Sequence, residues 1–214
     1  MNIRYIHNAL AATCFALAAV AGLASCSETN DDENEFADWQ NKNETYFNNL
    51  YSSASSQGLK VIRNWSFNDG VATHNYDNIV VKVLKSGSGS GSPLYTDSVR
   101  VHYQGRLIPS KTYTQGLVFD QSWSGEFNLQ TARPATLLVS QNIDGFTTAL
   151  MNMHIGDRWL VYIPYQLGYG TTGSSSGGIP GYSTLVFDIT LDSYFRPDAT
   201  VPGAQAKAGR WITE

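Results

Sequence analysis

The chain has 214 residues, of which 42% are hydrophobic and 12% aromatic, enough for one main domain with a buried core and some appendages. Only 15% of the residues are charged and 19 are glycine, so the composition favours a β-rich fold over a helical bundle. The net charge of −4 and the absence of a basic patch argue against nucleic-acid binding.

The first 25 residues predict a targeting segment. Arg4 supplies positive charge, and residues 9–24 form an Ala-rich apolar run that is short for a membrane span and fits a signal peptide. Residues 23–26, Leu-Ala-Ser-Cys, resemble a bacterial lipobox, which implies cleavage before Cys26 and lipidation of that residue. An ordinary signal peptide with an incidental cysteine is the alternative.

The residues around Cys26 bear on compartment and anchoring. Cys14, the other cysteine, lies inside the apolar run, so the mature chain has no pair for a disulfide. Ser27 follows the lipobox, which by analogy with Gram-negative sorting implies the outer membrane, facing the periplasm or the surface. The acidic run at 28–38 is either a solvated spacer or an export signal of the kind seen in some surface lipoproteins.

Residues 26–58 are expected to form an acidic tether followed by a short helix. The segment is rich in aromatic residues, and the spacings 36/39, 43/47 and 46/50 allow an amphipathic helix between residues 36 and 57 that ends near Gly58. Its aromatic side chains pack either on the following domain or on a partner, and the sequence leaves both open.

The region 59–196 is predicted to be one folded domain, followed by a tail at 197–214 without a periodic pattern. Strands are predicted at 59–67, 77–85, 98–104, 137–139, 158–163 and 184–191. Residues 143–153 form the one convincing helix of this region. The expected fold is therefore α+β, with a curved antiparallel sheet of about five to six strands wrapped around one short α-helix and an N-terminal helical extension.

Other chemistries find little support in the sequence. Residues 173–177 match G-x-S-x-G, but they lie in a Gly/Ser loop rather than between a strand and a helix, which argues against a hydrolase. The histidines at 74, 102 and 154 are far apart without ligand spacing, so no metal site is predicted. His102 is expected to be an outward-facing strand residue.

Several motifs occur together in a fixed order: Val101-His-Tyr-Gln-Gly-Arg-Leu107, Phe119-Asp-Gln-Ser122, Ile143-Asp-Gly-Phe146, Gly156-Asp-Arg158, Leu167-Gly-Tyr-Gly170, Ile179-Pro180 and Leu185-Val-Phe-Asp188. This combination resembles the FKBP-type peptidyl-prolyl cis-trans isomerases, most closely their bacterial periplasmic and surface branch. The resemblance covers about residues 78–195 and implies the FKBP fold.

The resemblance also implies a site. It assigns catalytic roles to Asp120, to the Tyr169 hydroxyl and to the backbone N–H of Ile143, and it assigns substrate binding to Tyr103, Phe119, Leu137, Asn142, Phe146, Ile179 and Phe187. Phe146 stands where the family usually has Trp, and Leu137 where it usually has Phe. The segments 107–118 and 121–134 are longer than usual, and two roles are open for them: a specificity element or a partial cover of the pocket.

The function implied is isomerisation of X–Pro bonds in envelope or surface proteins, in a dry apolar pocket without covalent chemistry or a cofactor. The partners implied are proline-containing polypeptides, the membrane through Cys26, and a macrolide immunosuppressant as a possible ligand. The alternative is a non-catalytic peptide-binding or chaperone module on the same fold.

Overall fold

The computed structural model describes residues 35–68, 74–197 and 209–214. The predicted signal peptide and Cys26 lie outside these residues. The described part contains helices α1 (Trp39–Ser53) and α2 (Asp144–Asn152) and the strands β1 (Lys60–Arg63), β2 (Asn78–Lys85), β3 (Ser98–Leu107), β4 (Val118–Gln121), β5 (Ala135–Leu138), β6 (Arg158–Ile163), β7 (Leu185–Pro197) and β8 (Gly209–Ile212). None of the described helices is long and apolar enough to cross a membrane.

All eight strands form one antiparallel sheet in the order β1-β2-β6-β7-β3-β4, with β5 on β3 and β8 on β7. The α+β prediction is confirmed, although the described sheet has two or three strands more than expected. The sequence interpretation missed β4 as a paired strand and predicted coil where β8 pairs with Tyr194–Pro197 of β7. Both strands have four residues, and each is held in the sheet by pairing with one neighbouring strand, β3 for β4 and β7 for β8.

Helix α2 packs on one face of the sheet, as the alternating strand patterns predict. Val99 and Val101 of β3 and Val161 of β6 have no exposed surface, and they belong to the same buried cluster as Leu150 and Met153 of α2. The helix is nearly as long as predicted, and it supplies the apolar stripe that closes this core.

The opposite face of the sheet is covered by the excursion at 121–134. His102 lies on this outer face of the sheet, as expected, but the excursion covers it and leaves it only 1% exposed. The ring of Phe127 lies 5.4 Å from the His102 ring, and Trp123 packs 4.6 Å from Phe127. Burial lowers the pKa of His102, and the charge of Asp192 opposes this shift only in part.

Helix α1 packs on the domain, which decides between the two placements that the sequence left open. Trp39, Asn43 and Phe47 recur every four residues, and all three are buried. Phe47 joins Val80 and Ala54 in a small cluster beside the main core. The extension is therefore an integral part of the folded unit.

A pair of leucine variants tests this core. Leu150 has no exposed surface, so Leu150→Ala is expected to lower the free energy of unfolding by about 2–5 kcal/mol, through lost transfer energy and the cavity left behind. Leu129→Ala removes the same atoms from a side chain that is 51% exposed, and it should cost less than about 0.5 kcal/mol. Urea unfolding measures both, and equal losses would contradict the packing described.

Candidate active site

A cavity of about 610 Å³ lies at the start of α2, bordered by the sheet and by the loop between β6 and β7. All ten residues that the sequence assigned to the site line it: Tyr103, Phe119, Asp120, Leu137, Asn142, Ile143, Phe146, Tyr169, Ile179 and Phe187. The structure thus brings together residues from β3, β4, β5, β7, the start of α2 and the β6–β7 loop. Their individual roles stay predictions.

Aromatic rings packed edge to face form the base of this cavity. The ring of Phe187 lies 5.0 Å from Phe146 and 5.5 Å from Phe119, and Tyr103 lies 6.0 Å from Phe146. Phe146 and Phe187 are only 4% and 5% exposed. Such pairs each contribute about 0.5–1.5 kcal/mol beyond burial, so the rings hold one another in a fixed arrangement.

This ring packing requires a glycine at position 105. Gly105 pairs with Asp120 of β4 on one side and with Phe187 of β7 on the other. A Cβ atom at this position would lie 2.6 Å from the rings of both Phe119 and Phe187. A larger residue would therefore push the two rings apart and change the shape of the cavity.

Asp120 is the charged group of the cavity wall, and Tyr103 holds it in place. The Tyr103 hydroxyl donates to Asp120 Oδ2 over 2.8 Å, and the Gln121 N–H donates to Oδ1 over 2.8 Å. Burial raises the pKa of Tyr103, and the hydrogen bond to Asp120 and its charge raise it further. Tyr103 therefore acts as a hydrogen-bond donor over the whole physiological pH range.

Tyr169 lies on the rim and is 40% exposed. Burial of part of the ring, followed by the charge of Asp120, raises the pKa of its hydroxyl. Within the described part of the chain, this hydroxyl has no hydrogen-bond partner. It is therefore free to bind a ligand in the cavity.

Ile143 provides a backbone donor at the first turn of α2. Its carbonyl accepts the N–H groups of Phe146 and Thr147, both over 3.0 Å, whereas nothing among residues 35–68, 74–197 and 209–214 accepts its own N–H. The neighbouring Asn142 donates to the carbonyl of Leu138 over 2.6 Å and so fixes the turn before the helix. A ligand carbonyl in the cavity would complete the bonding of the Ile143 N–H.

Four lining residues were missed from sequence: Gln141, Ser174, Ser176 and Gly177. Ser174 and Ser176 lie in the Gly/Ser loop, whose residues show no periodicity from which a facing side could be predicted. The segments 107–118 and 121–134 contribute no lining residue, which argues against the alternative that they cover the pocket in part. The second of them packs on the far face of the sheet, through Trp123 and Phe127.

Comparison with known proteins agrees with this geometry. Residues 89–192 match the model of the FKBP-type peptidyl-prolyl cis-trans isomerase family. The resemblance to this family is therefore confirmed over this region of the chain. A crystal structure of a peptidyl-prolyl cis-trans isomerase from Pseudomonas syringae aligns with a TM-score of 0.50 and 27% identity, over 73% of this chain and 92% of that one. The FKBP match leaves α1, β1, β2 and β8 outside its bounds.

Among FKBP relatives, the macrophage infectivity potentiator of Trypanosoma cruzi is 41% identical over 115 residues, 54% of this chain and 52% of that protein. The FKBP-type 22 kDa isomerase of Escherichia coli is 33% identical over 141 residues, 66% of this chain and 61% of the relative. The outer membrane protein MIP of Legionella longbeachae is 38% identical over 112 residues, 52% and 42% of the two chains. This chain thus spans about half the length of these relatives.

The hydrogen bond between Tyr103 and Asp120 should affect the free energy of unfolding at alkaline pH. An unfolded tyrosine ionises near pH 10, whereas folding raises the pKa of Tyr103. Above about pH 10 the unfolded chain releases a proton that the folded chain retains, so stability falls as the pH rises. Between about pH 9 and 11, wild type should lose more unfolding free energy in urea than Tyr103→Phe, and equal losses would show that Tyr103 titrates normally.

Proposed function

We propose that this protein is a peptidyl-prolyl cis-trans isomerase that accelerates rotation about X–Pro bonds in polypeptides of the cell envelope or cell surface. One observation carries the proposal most strongly: the ten predicted residues line one cavity with an aromatic base and Asp120 as its charged lining residue. Such a cavity offers shape, dryness and a few fixed polar groups.

The reaction matches what this cavity can supply. Rotation about a peptide bond has a barrier of about 18–20 kcal/mol because the C–N bond is partly double, and uncatalysed X–Pro exchange takes tens to hundreds of seconds. No covalent bond breaks, so neither a nucleophile nor a strong base is needed. The residues lining the cavity include no histidine, cysteine or lysine.

The apolar base favours the twisted transition state over the planar ground state. At the twisted state the amide loses resonance and its carbonyl becomes less polar, so transfer from water into a dry cavity costs less than for the planar amide. In this account the proline ring rests on Phe146 and Phe187, while Phe119, Leu137 and Ile179 form the side walls. These apolar contacts stabilise the twisted transition state more than the planar ground state.

Polar groups at the cavity wall hold the twisted conformer. The Ile143 N–H donates to a substrate carbonyl, Tyr169 offers its hydroxyl from the rim, and Asp120 interacts with the carbon of the rotating carbonyl. Tyr103 keeps Asp120 oriented through its hydrogen bond. Asn142 supports the turn that presents Ile143. A macrolide immunosuppressant would compete for the same cavity, because it too needs an apolar base with a few donors at the rim.

The cell envelope is the proposed location, facing the periplasm or the surface. The lipobox-like residues 23–26 support cleavage before Cys26 and an outer-membrane lipid anchor on that cysteine. The name of the Legionella longbeachae relative, an outer membrane protein, agrees with this placement. Each buried methylene of an acyl chain contributes about 0.8 kcal/mol, so several chains on one cysteine anchor a protein firmly.

A protease-coupled prolyl-peptide assay tests the activity and the polar roles together. Wild type should raise the exchange rate above background, whereas Asp120→Asn and Tyr169→Phe should each lower kcat/KM by about five- to fiftyfold, through loss of a charged or hydroxyl contact. Tyr113→Phe is the matched control, because Tyr113 is 41% exposed and does not line the cavity.

Each other outcome of this assay has a definite meaning. If wild type binds prolyl peptides without accelerating exchange, the protein is a binding or chaperone module and the proposal is wrong. If wild type is active and both variants keep its full kcat/KM, the roles given to Asp120 and Tyr169 are wrong while the activity stands.

The anchor is tested separately by Cys26→Ser. Expressed in a Gram-negative host, the full chain should partition into the outer-membrane fraction and incorporate labelled palmitate, whereas the variant should do neither, because it has no thiol to acylate. The isomerase activity of the two proteins should be equal. Membrane retention of Cys26→Ser would show that another segment anchors the protein.

A further inference from the structure

The loop at 164–184, which joins β6 and β7, carries a large share of the cavity wall. It holds Tyr169, Ser174, Ser176, Gly177 and Ile179. We call it the pocket loop. Its own regular structure consists of a single 3₁₀ turn, Tyr165–Leu167, and an isolated bridge between Ser174 and Ile179. Other parts of the molecule must therefore hold this loop in place.

Helix α1 contacts the pocket loop through a buried relay of hydrogen bonds. Trp39 Nε1 donates to Ser183 Oγ over 2.8 Å, and Ser183 Oγ donates to the carbonyl of Pro180 over 2.7 Å. Trp39 and Ser183 are 7% and 3% exposed. Pro180 directly follows Ile179, so the relay connects α1 to a side chain of the cavity wall.

A second contact joins α1 to the end of the loop. Asn43 has no exposed surface, and its Oδ1 accepts the Thr184 N–H over 2.7 Å. Its Nδ2 donates to the Trp39 carbonyl over 2.7 Å, which fixes the rotamer. Because both ends of this amide are bonded, Asn43 holds Thr184 at the point where β7 begins.

A third contact reaches the Tyr169 side of the loop. The Tyr165 hydroxyl donates to Glu44 of α1 over 3.3 Å, and the Tyr165 carbonyl accepts the N–H of Gly170 over 2.8 Å. Tyr182 has a φ of +62°, and its ring packs 5.1 Å from that of Tyr165. The Tyr182 N–H donates to the carbonyl of Gly170 over 3.0 Å. These contacts join the part of the pocket loop that carries Tyr169 to the part that follows Ile179. Helix α1 supports both parts from outside the cavity.

We propose that α1 belongs to the catalytic architecture, and that Trp39, through Ser183, and Glu44, through Tyr165, are positioning residues for Ile179 and Tyr169. The inference rests on the proposed function. Helix α1 lines no part of the cavity and lies outside the residues matched by the family model. Wall residues on an irregular loop keep a productive geometry only when supporting contacts hold that loop, and the hydrogen bonds of α1 provide this support.

Point variants in the full chain test the inference by kinetics. Trp39→Phe keeps a buried ring but removes the donor, and Ser183→Ala removes the relay hydroxyl. Each is expected to lower kcat/KM about three- to tenfold, mostly through kcat, because the displaced wall no longer fits the transition state. The double variant should be little worse than either single one, since both break one relay.

Phe47→Leu is the matched control on the same helix. Phe47 is 3% exposed and packs against Val80, and its side chain carries no hydrogen-bonding group, so this variant leaves the hydrogen bonds from α1 to the pocket loop in place. It should lower the melting temperature at least as much as Trp39→Phe and leave kcat/KM within about twofold of wild type. If Trp39→Phe and Ser183→Ala keep wild-type kcat/KM, or if Phe47→Leu lowers it equally, α1 only stabilises the fold and the inference is wrong.

Hydrogen exchange gives a readout independent of catalysis. The N–H groups of Ile179 and Tyr182 bond to the carbonyls of Ser174 and Gly170. They should exchange faster in Trp39→Phe than in wild type, and at the wild-type rate in Phe47→Leu. Unchanged exchange in Trp39→Phe would overturn the inference. If wild type lacks isomerase activity, the proposed function fails, and this comparison still decides whether α1 positions the loop.

Discussion

The mutual packing of Phe119, Phe146 and Phe187 on the backbone of Gly105 is the constraint on which the candidate site depends. The rings come from β4, α2 and β7, and they meet only because a residue without a side chain lies between two of them. Their arrangement joins the core to the cavity, since Phe146 belongs to the same apolar stripe of α2 that packs on the sheet. Fold and site therefore share one set of contacts.

Hydrogen bonds hold the polar groups of the cavity wall in place around these aromatic rings. Tyr103 and the Gln121 N–H hold Asp120, and the turn before α2 fixes Ile143. The pocket loop is the exception, because its own structure is irregular. Its contacts with Trp39 and Asn43 explain why these two residues of a helix remote from the cavity are buried. Preorganisation of this kind suits a reaction in which no bond breaks.

The sequence predicted the central features where pattern and resemblance agreed. Alternation identified β3 and β6, the apolar stripe identified α2, and the family resemblance identified ten lining residues. It failed where contacts are non-local. Nothing in the local pattern of His102 indicates that Phe127 covers it, and the four residues of β8 become a strand only by pairing with β7. Ser174 and Ser176 lack any periodicity that would indicate their facing side.

The central claim is that the cavity isomerises X–Pro bonds by shape and fixed dipoles, without proton transfer. Exchange-rate measurement by NMR on a prolyl peptide, from about pH 6 to 9 and in heavy water, tests it most directly. The account predicts catalysed exchange with a flat pH profile and a solvent isotope effect near one, since the cavity is lined by no histidine, cysteine or lysine. A bell-shaped profile, or an isotope effect of about two or more, would contradict it.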